Sequence, residues 1–330
     1  MKRKLSALLT ALLLLAVPLA ACKKDGAKIR LCEVTHSIFY APLYVAMTNG
    51  YFADEGLSVE LSNGGGADAV MAAIASDSAD IGLMGPEATI YCHVGGQRDY
   101  PVIFGQLTAR DGSFLIGRTD EKATFAWSSL EGKKLIAGRK GGVPAMTLEY
   151  VLKNNGVSIS AETFDTSVAF NLTAGTFEGD KSYDYCTLFE PVASEFEAAG
   201  KGYVIASVGE ESGEVPYTAF SAKKKYIDAD PARAEKFLRA VVRGYKYLRD
   251  NTPDIVAAAL VPQFPDTPAA SIAAAVTRYL EVGAWAATPV MGKTAFERLQ
   301  DIMTAAGELT DRADYSLAVR NDIAEKVSAE

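Results

Sequence analysis

Two carboxylates and a group of aromatic residues stand where predicted strands end, and these side chains could bind a small solute. Glu87 follows one short apolar strand, and Glu190 follows another. In open α/β sheets, ligands bind beyond the carboxyl ends of the strands. A carboxylate accepts hydrogen bonds, so a ligand with N–H donors or a positive charge would use these two groups. Phe39, Tyr40 and Phe189 supply an aromatic wall for a flat ring.

Predicted helix starts supply a second kind of polar group, the free backbone N–H. Gly85-Pro86 and Gly141-Gly142-Val143-Pro144 each precede a predicted helix. The first N–H groups of a helix lack intrahelical partners, so they suit an anionic or acceptor-bearing ligand atom. We therefore predict that the ligand-binding residues are His36, Phe39, Tyr40, Gly85, Glu87, Ser113, Gly141, Gly142, Asn171, Phe189 and Glu190.

Most of these positions also have a purely structural interpretation, which the sequence leaves open. Phe39 and Tyr40 could pack in the core, and His36 could lie in a solvated loop. Glu87 could only interact favourably with the helix dipole, and Glu190 could only cap the turn before Pro191. The glycines could only form turns.

The elements that must position these residues alternate between strand and helix. Strands are predicted near 28–34, 57–61, 80–84 and 100–107, with helices between them, and the order predicts parallel pairing with right-handed crossovers. A second, shorter α/β series spans 114–208, and one more strand covers 217–222. Helical spacing then continues to the end, with Tyr315 to Lys326 as the last predicted helix.

Composition narrows the class of protein. The chain has 330 residues, of which 49% are hydrophobic and 22% charged, and this balance excludes a disordered chain. The formal net charge of −8 argues against a nucleic-acid partner. With two histidines in the chain, we expect no metal site and no cofactor. No G-x-S-x-G, phosphate-loop or H-E-x-x-H motif is present, so we expect no catalytic residues and no enzyme activity.

The N-terminus predicts export. Lys2, Arg3 and Lys4 precede an apolar run too short to span a bilayer, which is typical of a secretory signal. The following Leu-Ala-Ala-Cys resembles the lipobox of bacterial lipoproteins, so residues 1–21 would be removed and Cys22 lipidated. An ordinary secreted protein with a chance cysteine is the alternative. The remaining Cys32, Cys92 and Cys186 are predicted to be buried free thiols.

Several segments together resemble a known family. They are residues 40–46 (YAPLYVA), 49–52 (NGYF), 55–59 (EGLSV), 79–82 (ADIG), 130–135 (LEGKKL) and 189–191 (FEP). In type and order they are similar to the NMT1/THI5-like family of substrate-binding proteins for sulfonates, nitrate-like ions and thiamine precursors.

The resemblance implies a type II periplasmic-binding-protein fold. Two α/β lobes would be joined by two crossing strands, near 115–118 and 220–222, with the C-terminal helices on lobe 1. After the signal peptide (1–21) and a lipidated tether (22–27), lobe 1 would comprise 28–116 and 221–330. Lobe 2 would comprise 117–220.

The resemblance also implies a function. A lipid-anchored, extracytoplasmic monomer would close its two lobes on a small molecule and deliver it to an ABC permease and its ATPase. Because Glu87 and Glu190 would not help to bind an anion, we favour a planar nitrogen-containing ligand such as a pyrimidine-type thiamine precursor. An aliphatic sulfonate, a taurine-like molecule or a nitrate-like ion is the alternative. A pyrimidine-synthase or menaquinone-pathway enzyme on the same fold is an alternative of another class.

Overall fold

The computed structural model describes residues 26–97 and 99–330, so the predicted signal peptide and Cys22 lie outside the described residues. Ala27, assigned above to the tether, already begins the first strand. The strands in the described ranges are β1 (Ala27–Glu33), β2 (Leu57–Asn63), β3 (Ile81–Met84), β4 (Pro101–Thr108), β5 (Ser113–Gly117), β6 (Leu135–Ile136), β7 (Phe164–Asp165), β8 (Tyr185–Phe189), β9 (Tyr203–Ser207) and β10 (Thr218–Lys223).

The helices surround these strands. They are α1 (Ala41–Thr48), α2 (Tyr51–Asp54), α3 (Ala67–Ala75), α4 (Pro86–Val94), α5 (Val143–Asn154), α6 (Thr173–Gly179), α7 (Val192–Ala198), α8 (Val208–Ser212), α9 (Lys224–Ala229), α10 (Pro231–Asp250), α11 (Pro253–Leu260), α12 (Ala269–Glu281), α13 (Lys293–Ala305), α14 (Tyr315–Ala318) and α15 (Asn321–Ser328). Short 3-10 turns cover Ile38–Tyr40, Trp127–Leu130, Phe170–Leu172 and Val261–Gln263. As the sequence predicts, helices lie between the first four strands: α1 and α2, then α3, then α4.

The first sheet has the order β2-β1-β3-β10-β4. Strand β1 pairs in parallel with β2 and β3, as the alternating pattern predicts. The prediction of parallel pairing is wrong for β4, because β10 lies between β3 and β4 and runs antiparallel to both. This strand arrives from the other sheet, so its direction is not determined by the βαβ crossover rule.

The second sheet has the order β7-β6-β8-β5-β9, with β5 antiparallel to both of its neighbours. We call residues 26–108 with 218–330 the first lobe and residues 113–207 the second lobe, by the sheet that each surrounds. The chain passes between the sheets at 109–112 and returns at 208–217. These passages lie a few residues before the expected crossings at 115–118 and 220–222, which fall in or beside strands β5 and β10.

Helix α10 shows how the sequence builds the core of the first lobe. Asp230 caps its first turn, with the side chain accepting from the Arg233 backbone N–H at 3.2 Å, and Pro231 opens the helix. Its buried stripe includes Phe237, as the helical spacing predicts. Gly244 lets α10 approach α1 closely, because a Cβ at this position would lie 2.0 Å from the Pro42 carbonyl oxygen.

The C-terminal helices pack mainly on the first lobe, and two of them also contact the second lobe. Helix α15 packs on α10 and β4, while α12 contacts α7 and α13 contacts α5. The single helix predicted for 315–326 is wrong, because the chain breaks between α14 and α15. At the break, the Arg320 backbone N–H donates to the Ile103 carbonyl of β4 at 2.7 Å, and this pairing with a strand interrupts the helical ladder.

Candidate functional site

A cavity of about 180 Å³ lies between the two lobes, and residues of both lobes line it. Its floor is formed by loops that follow β1, β3, β6 and β8, which is the edge at which the strand-end rule places ligands. We call it the interlobe cavity. Of the predicted residues, those that line it are Phe39, Tyr40, Gly85, Glu87, Gly142, Asn171 and Phe189.

A larger and more open cavity, of about 890 Å³, lies on the second lobe near residues 159–167. It is a groove in the surface with Lys140 and Glu308 at one side. We place the candidate site in the interlobe cavity instead, because buried aromatic residues and a buried carboxyl group converge there from two lobes. Small-molecule sites usually combine apolar walls with a few placed polar groups.

Glu87 supplies the carboxyl group of the interlobe cavity. Its side chain is 4% exposed, and its Oε2 has no hydrogen-bond partner among the described residues. Burial raises the pKa of Glu87 to about 7, although the charge of Arg139 and the backbone N–H groups at the start of α4 act in the opposite direction. The balance shows that desolvation outweighs the helix terminus here. The ionised group would be stabilised by a partner that donates a hydrogen bond to Oε2.

Gly85 makes room for this carboxyl group. It is the residue before α4, and a Cβ there would lie 1.9 Å from Glu87 Oε2. The backbone of Gly85 has φ −64°, an ordinary value for any residue. The requirement for glycine is therefore one of space, because the Glu87 side chain folds back over this position.

The aromatic wall predicted from the sequence is present. The Phe39 ring centroid lies 5.9 Å from that of Tyr40 and 5.7 Å from that of Phe189. Phe170 extends the wall on the second lobe, at 5.5 Å from Phe189. Tyr217 closes it on the other side, with its ring edge-on to Phe39 at 5.6 Å. A flat ring between the lobes would contact this cluster.

His36 does not line the interlobe cavity. Its Nδ1 lies 2.8 Å from Glu33 Oε1, and its Nε2 lies 2.9 Å from the Gln263 carbonyl oxygen. The hydrogen bond with Glu33 raises the pKa of His36. Because both ring nitrogens have protein partners, the ring ties the loop after β1 to the turn after α11. The sequence could not reveal this, since Gln263 is distant along the chain.

Glu190 also has its carboxylate occupied by protein groups. Its Oε1 accepts from Arg278 Nη1 at 2.9 Å, and its Oε2 accepts from the Ser194 backbone N–H at 3.0 Å. Its backbone N–H donates to Tyr279 Oη at 2.9 Å, and its carbonyl accepts from Ser37 Oγ at 2.8 Å. Three of these partners, Arg278, Tyr279 and Ser37, belong to the first lobe. Glu190 therefore joins the lobes beside the cavity.

Ser113 and Gly141 lie outside the cavity wall too. Ser113 is buried in β5, and its backbone N–H donates to Asp111 Oδ1 at 2.7 Å. Gly141 has φ +75°, and its carbonyl accepts from Tyr91 Oη at 3.1 Å, so it makes a contact between the lobes. Its neighbour Gly142 does line the cavity.

Sequence reasoning missed five polar residues that line the cavity, namely Thr35, Ser37, Arg139, Tyr217 and Thr218, and two of them bear on the site most directly. Arg139 of the second lobe forms an ion pair with Asp68 of the first lobe at the mouth of the cavity. It follows β6, so the strand-end rule could have found it. Tyr217 precedes β10 and lies at the amino end of that strand. The rule for parallel strands overlooks it, because β10 is antiparallel to its neighbours.

The prediction for the three remaining cysteines is confirmed. Cys32, Cys92 and Cys186 are buried free thiols, as predicted. Within 26–97 and 99–330, no cluster of three or more potential metal ligands occurs. In the same ranges, no helix has both the length and the apolar character needed to cross a membrane.

Comparison with known proteins gives a consistent result. The family model "NMT1/THI5 like" matches residues 38–254. The chain is 39% identical over 315 residues to "Putative binding protein YtlA" of Bacillus subtilis (strain 168), covering 94% of each protein. It is 26% identical over 223 residues to 4-amino-5-hydroxymethyl-2-methylpyrimidine phosphate synthase of Aspergillus parasiticus, covering 64% of this chain and 63% of that protein.

A solved structure confirms the predicted fold. The alkanesulfonate-binding protein SsuA from Xanthomonas axonopodis pv. citri, bound to MOPS, superposes with a TM-score of 0.72 at 17% identity, over 90% of this chain and 99% of that one. Together with the two five-stranded sheets, this likeness establishes the type II periplasmic-binding-protein fold, with two α/β lobes.

Proposed function

The chain belongs to the NMT1/THI5-like family, and on that premise we propose that it is the solute-binding component of an ABC importer. We propose further that it captures a small planar nitrogen-containing molecule, such as a pyrimidine-type thiamine precursor, in the interlobe cavity. The volume of about 180 Å³ favours a single small ring, since sites for drug-sized ligands begin at roughly 300 Å³.

One observation carries the preference for this ligand class: the buried Oε2 of Glu87 has no hydrogen-bond partner within the part of the chain that the structure describes. A buried polar atom without a partner is costly, and a ligand that donates an N–H removes that cost. The surrounding rings of Phe39, Phe189 and Tyr217 favour a flat ligand. A ring that carries an amino group combines both features.

The alternative ligand is an aliphatic sulfonate or a nitrate-like ion. Arg139 and the backbone N–H groups at the start of α5 would favour such an anion. An anion would also lie near Glu87, so it would bind best when that carboxyl is protonated. The two ligand classes therefore predict different responses to removal of the Glu87 charge.

The proposed mechanism is capture by closure of the lobes. A ligand that contacts Glu87 on the first lobe and Phe189 on the second stabilises the closed form by its difference in affinity between the two forms. The passages at 109–112 and 208–217 are the segments that would absorb the change in backbone dihedrals. The closed protein then presents the solute to a permease and its ATPase.

Isothermal titration calorimetry with three probes tests the ligand class: 4-amino-5-hydroxymethyl-2-methylpyrimidine, taurine and nitrate. We expect the pyrimidine to bind, and the variant Glu87→Gln to bind it about tenfold more weakly, which corresponds to ~1.4 kcal/mol. The control Glu60→Gln makes the same chemical change at an exposed residue paired with Lys28. Binding of taurine or nitrate alone, strengthened by Glu87→Gln, would establish the alternative.

The enzyme alternative is tested with the same probe. After prolonged incubation with the protein, we expect mass spectrometry to recover the pyrimidine unchanged. A new product that requires the folded protein would replace the transport proposal with a catalytic one.

We also propose that the protein acts as a monomer, which light scattering coupled to size-exclusion chromatography would check.

We propose that the protein is exported and held at the membrane surface by acyl chains on Cys22. Two acyl chains anchor a protein stably, whereas one is marginal. Labelling of cells with a radioactive fatty acid should mark the wild-type protein and leave Cys22→Ser unlabelled and released into the soluble fraction. Equal labelling of both would contradict the proposed anchor.

A further inference from the structure

Tyr217 occupies a special position in the fold. It is the last residue of the return passage, and its backbone N–H donates to the Thr108 carbonyl at 3.2 Å, so the residue is held at the end of β4. Its ring packs against Phe39 and Phe189 in the wall of the interlobe cavity. The side chain is therefore fixed by backbone pairing on one side and by aromatic packing on the other.

The hydroxyl group of Tyr217 is buried, and its protein neighbour is the carboxyl group of Asp111. The residue is 4% exposed, and its Oη has no hydrogen-bond partner among the described residues. Burial raises the pKa of Tyr217 well above its ordinary value, so the hydroxyl keeps its proton at neutral pH. A buried O–H that makes no hydrogen bond of normal geometry is free to donate to a better placed acceptor.

Asp111 lies next to this hydroxyl without fully satisfying it. Its Oδ1 accepts from the Ser113 backbone N–H at 2.7 Å, which fixes the carboxyl group in the outgoing passage. Its Oδ2 is buried and, like Tyr217 Oη, lacks a hydrogen bond of normal geometry within the described part of the chain. Asp111 does not line the cavity, so it would affect ligand binding only by orienting the Tyr217 hydroxyl.

We propose that Tyr217 is a specificity-determining residue whose hydroxyl donates a hydrogen bond to an acceptor atom of the ligand. This inference rests on the proposed function and narrows its ligand class. Glu87 accepts from a donor of the ligand, and Tyr217 donates to an acceptor on the same ring. A ring that presents an amino N–H beside an unprotonated ring nitrogen satisfies both groups, as the edge of an aminopyrimidine does.

The test compares two probes that differ at the acceptor. 4-Amino-5-hydroxymethyl-2-methylpyrimidine has ring nitrogens, whereas 2-amino-4-methylbenzyl alcohol keeps the amino, hydroxymethyl and methyl groups in the same relative positions on a ring without them. We expect the wild-type protein to prefer the pyrimidine by at least about tenfold in Kd, because a buried donor would stay unpaired with the second probe. The variant Tyr217→Phe should bind the pyrimidine about tenfold more weakly and lose most of that preference.

A matched control separates this effect from a general change in the core. Tyr226 also has a buried hydroxyl without a hydrogen-bond partner among the described residues, but it lies in α9 and outside the interlobe cavity. The variant Tyr226→Phe should therefore leave both Kd values unchanged. Thermal denaturation should show that neither variant melts well below the wild type, since each loses an unpaired hydroxyl.

The outcomes distinguish this inference from the proposed function. If Tyr217→Phe binds the pyrimidine as tightly as the wild type, the hydroxyl serves Asp111 alone and the inference is overturned, while the proposed function stands. If the wild type binds neither probe, mass spectrometry of ligand released from freshly purified, denatured protein decides. A ring with adjacent donor and acceptor supports the inference, and a sulfonate, nitrate or aliphatic molecule overturns it together with the proposed ligand class.

Discussion

Arg278 of α12 reaches across to the second lobe and donates from Nη1 to Oε1 of Glu190 at 2.9 Å. The same guanidinium donates from Nη2 to Glu197 at 2.7 Å, so one side chain of the first lobe holds two carboxylates of the second. The Glu190 side chain is fully buried, while that of Arg278 is 27% exposed. This pair fastens the lobes beside the interlobe cavity.

Replacing Arg278 by alanine should destabilise the protein by about 3 kcal/mol. The figure is the lower end of the range for removing one partner of a buried ion pair, because the Glu190 carboxylate would stay buried without its cation. Urea denaturation followed by circular dichroism measures the change. Lys28→Ala, at an exposed pair with Glu60, should change the stability by at most ~1 kcal/mol. Equal effects of the two variants would contradict a buried, structural role for Arg278.

The pKa of Glu87, raised to about 7 by burial, predicts a pH dependence of stability. A carboxyl whose pKa is higher in the folded than in the unfolded state binds more protons when folded. The free energy of unfolding must therefore fall as the pH rises from about 4.5 to about 7, and the contribution of Glu87 amounts to about 3 kcal/mol.

Glu87→Gln should flatten this part of the pH profile without removing it entirely. Burial also raises the pKa of Asp111 to about 7, and that group contributes a decline of the same sign. Urea denaturation of both proteins at a series of pH values measures the difference. A profile that is unchanged by Glu87→Gln would show that Glu87 does not titrate in this range.

Gly85→Ala should weaken ligand binding while leaving the protein folded. The added Cβ would lie 1.9 Å from Glu87 Oε2, which is the end of a flexible side chain and can move aside. The carboxyl group would then leave its place in the cavity, and we expect a loss of about tenfold in affinity for the pyrimidine probe.

The control for this substitution is Gly175→Ala in α6. A Cβ at Gly175 would meet no atom within 4 Å, and alanine favours a helix over glycine by up to about 1 kcal/mol. We expect this variant to bind the probe normally and to be slightly more stable. Calorimetric titration and thermal denaturation of both variants provide the comparison. Normal binding by Gly85→Ala would mean that the position of the Glu87 carboxyl does not matter for the ligand.

Asp68→Asn should accelerate ligand release by roughly threefold, because it removes an ion pair with Arg139 that joins the two lobes next to the cavity. Both side chains are about half exposed or more, so stability should change by less than ~0.5 kcal/mol. Asp54→Asn is the matched control, since Asp54 pairs with Arg243 within the first lobe. Stopped-flow displacement of the pyrimidine probe measures the rates, and equal rates for the two variants would exclude a closing role for Asp68.

The sequence by itself determined the alternation of strands and helices and most of the cavity wall. The loop with Phe39 and Tyr40, the start of α4 with Gly85 and Glu87, and Phe189 after β8 could be predicted because local periodicity and turn residues mark the strand ends. The family resemblance then supplied the arrangement of two lobes.

Only the tertiary structure decided which polar groups line the interlobe cavity and which form hydrogen bonds within the protein. Glu87 and Glu190 look equivalent in the sequence. Arg278, 88 residues after Glu190, donates to the Glu190 carboxylate, whereas Oε2 of Glu87 has no hydrogen-bond partner among the described residues. Tyr217 reaches the cavity because β10 enters the first sheet in the antiparallel direction. Both outcomes depend on contacts between distant segments. Local propensity carries no information about such contacts, because they form only when the two lobes pack together.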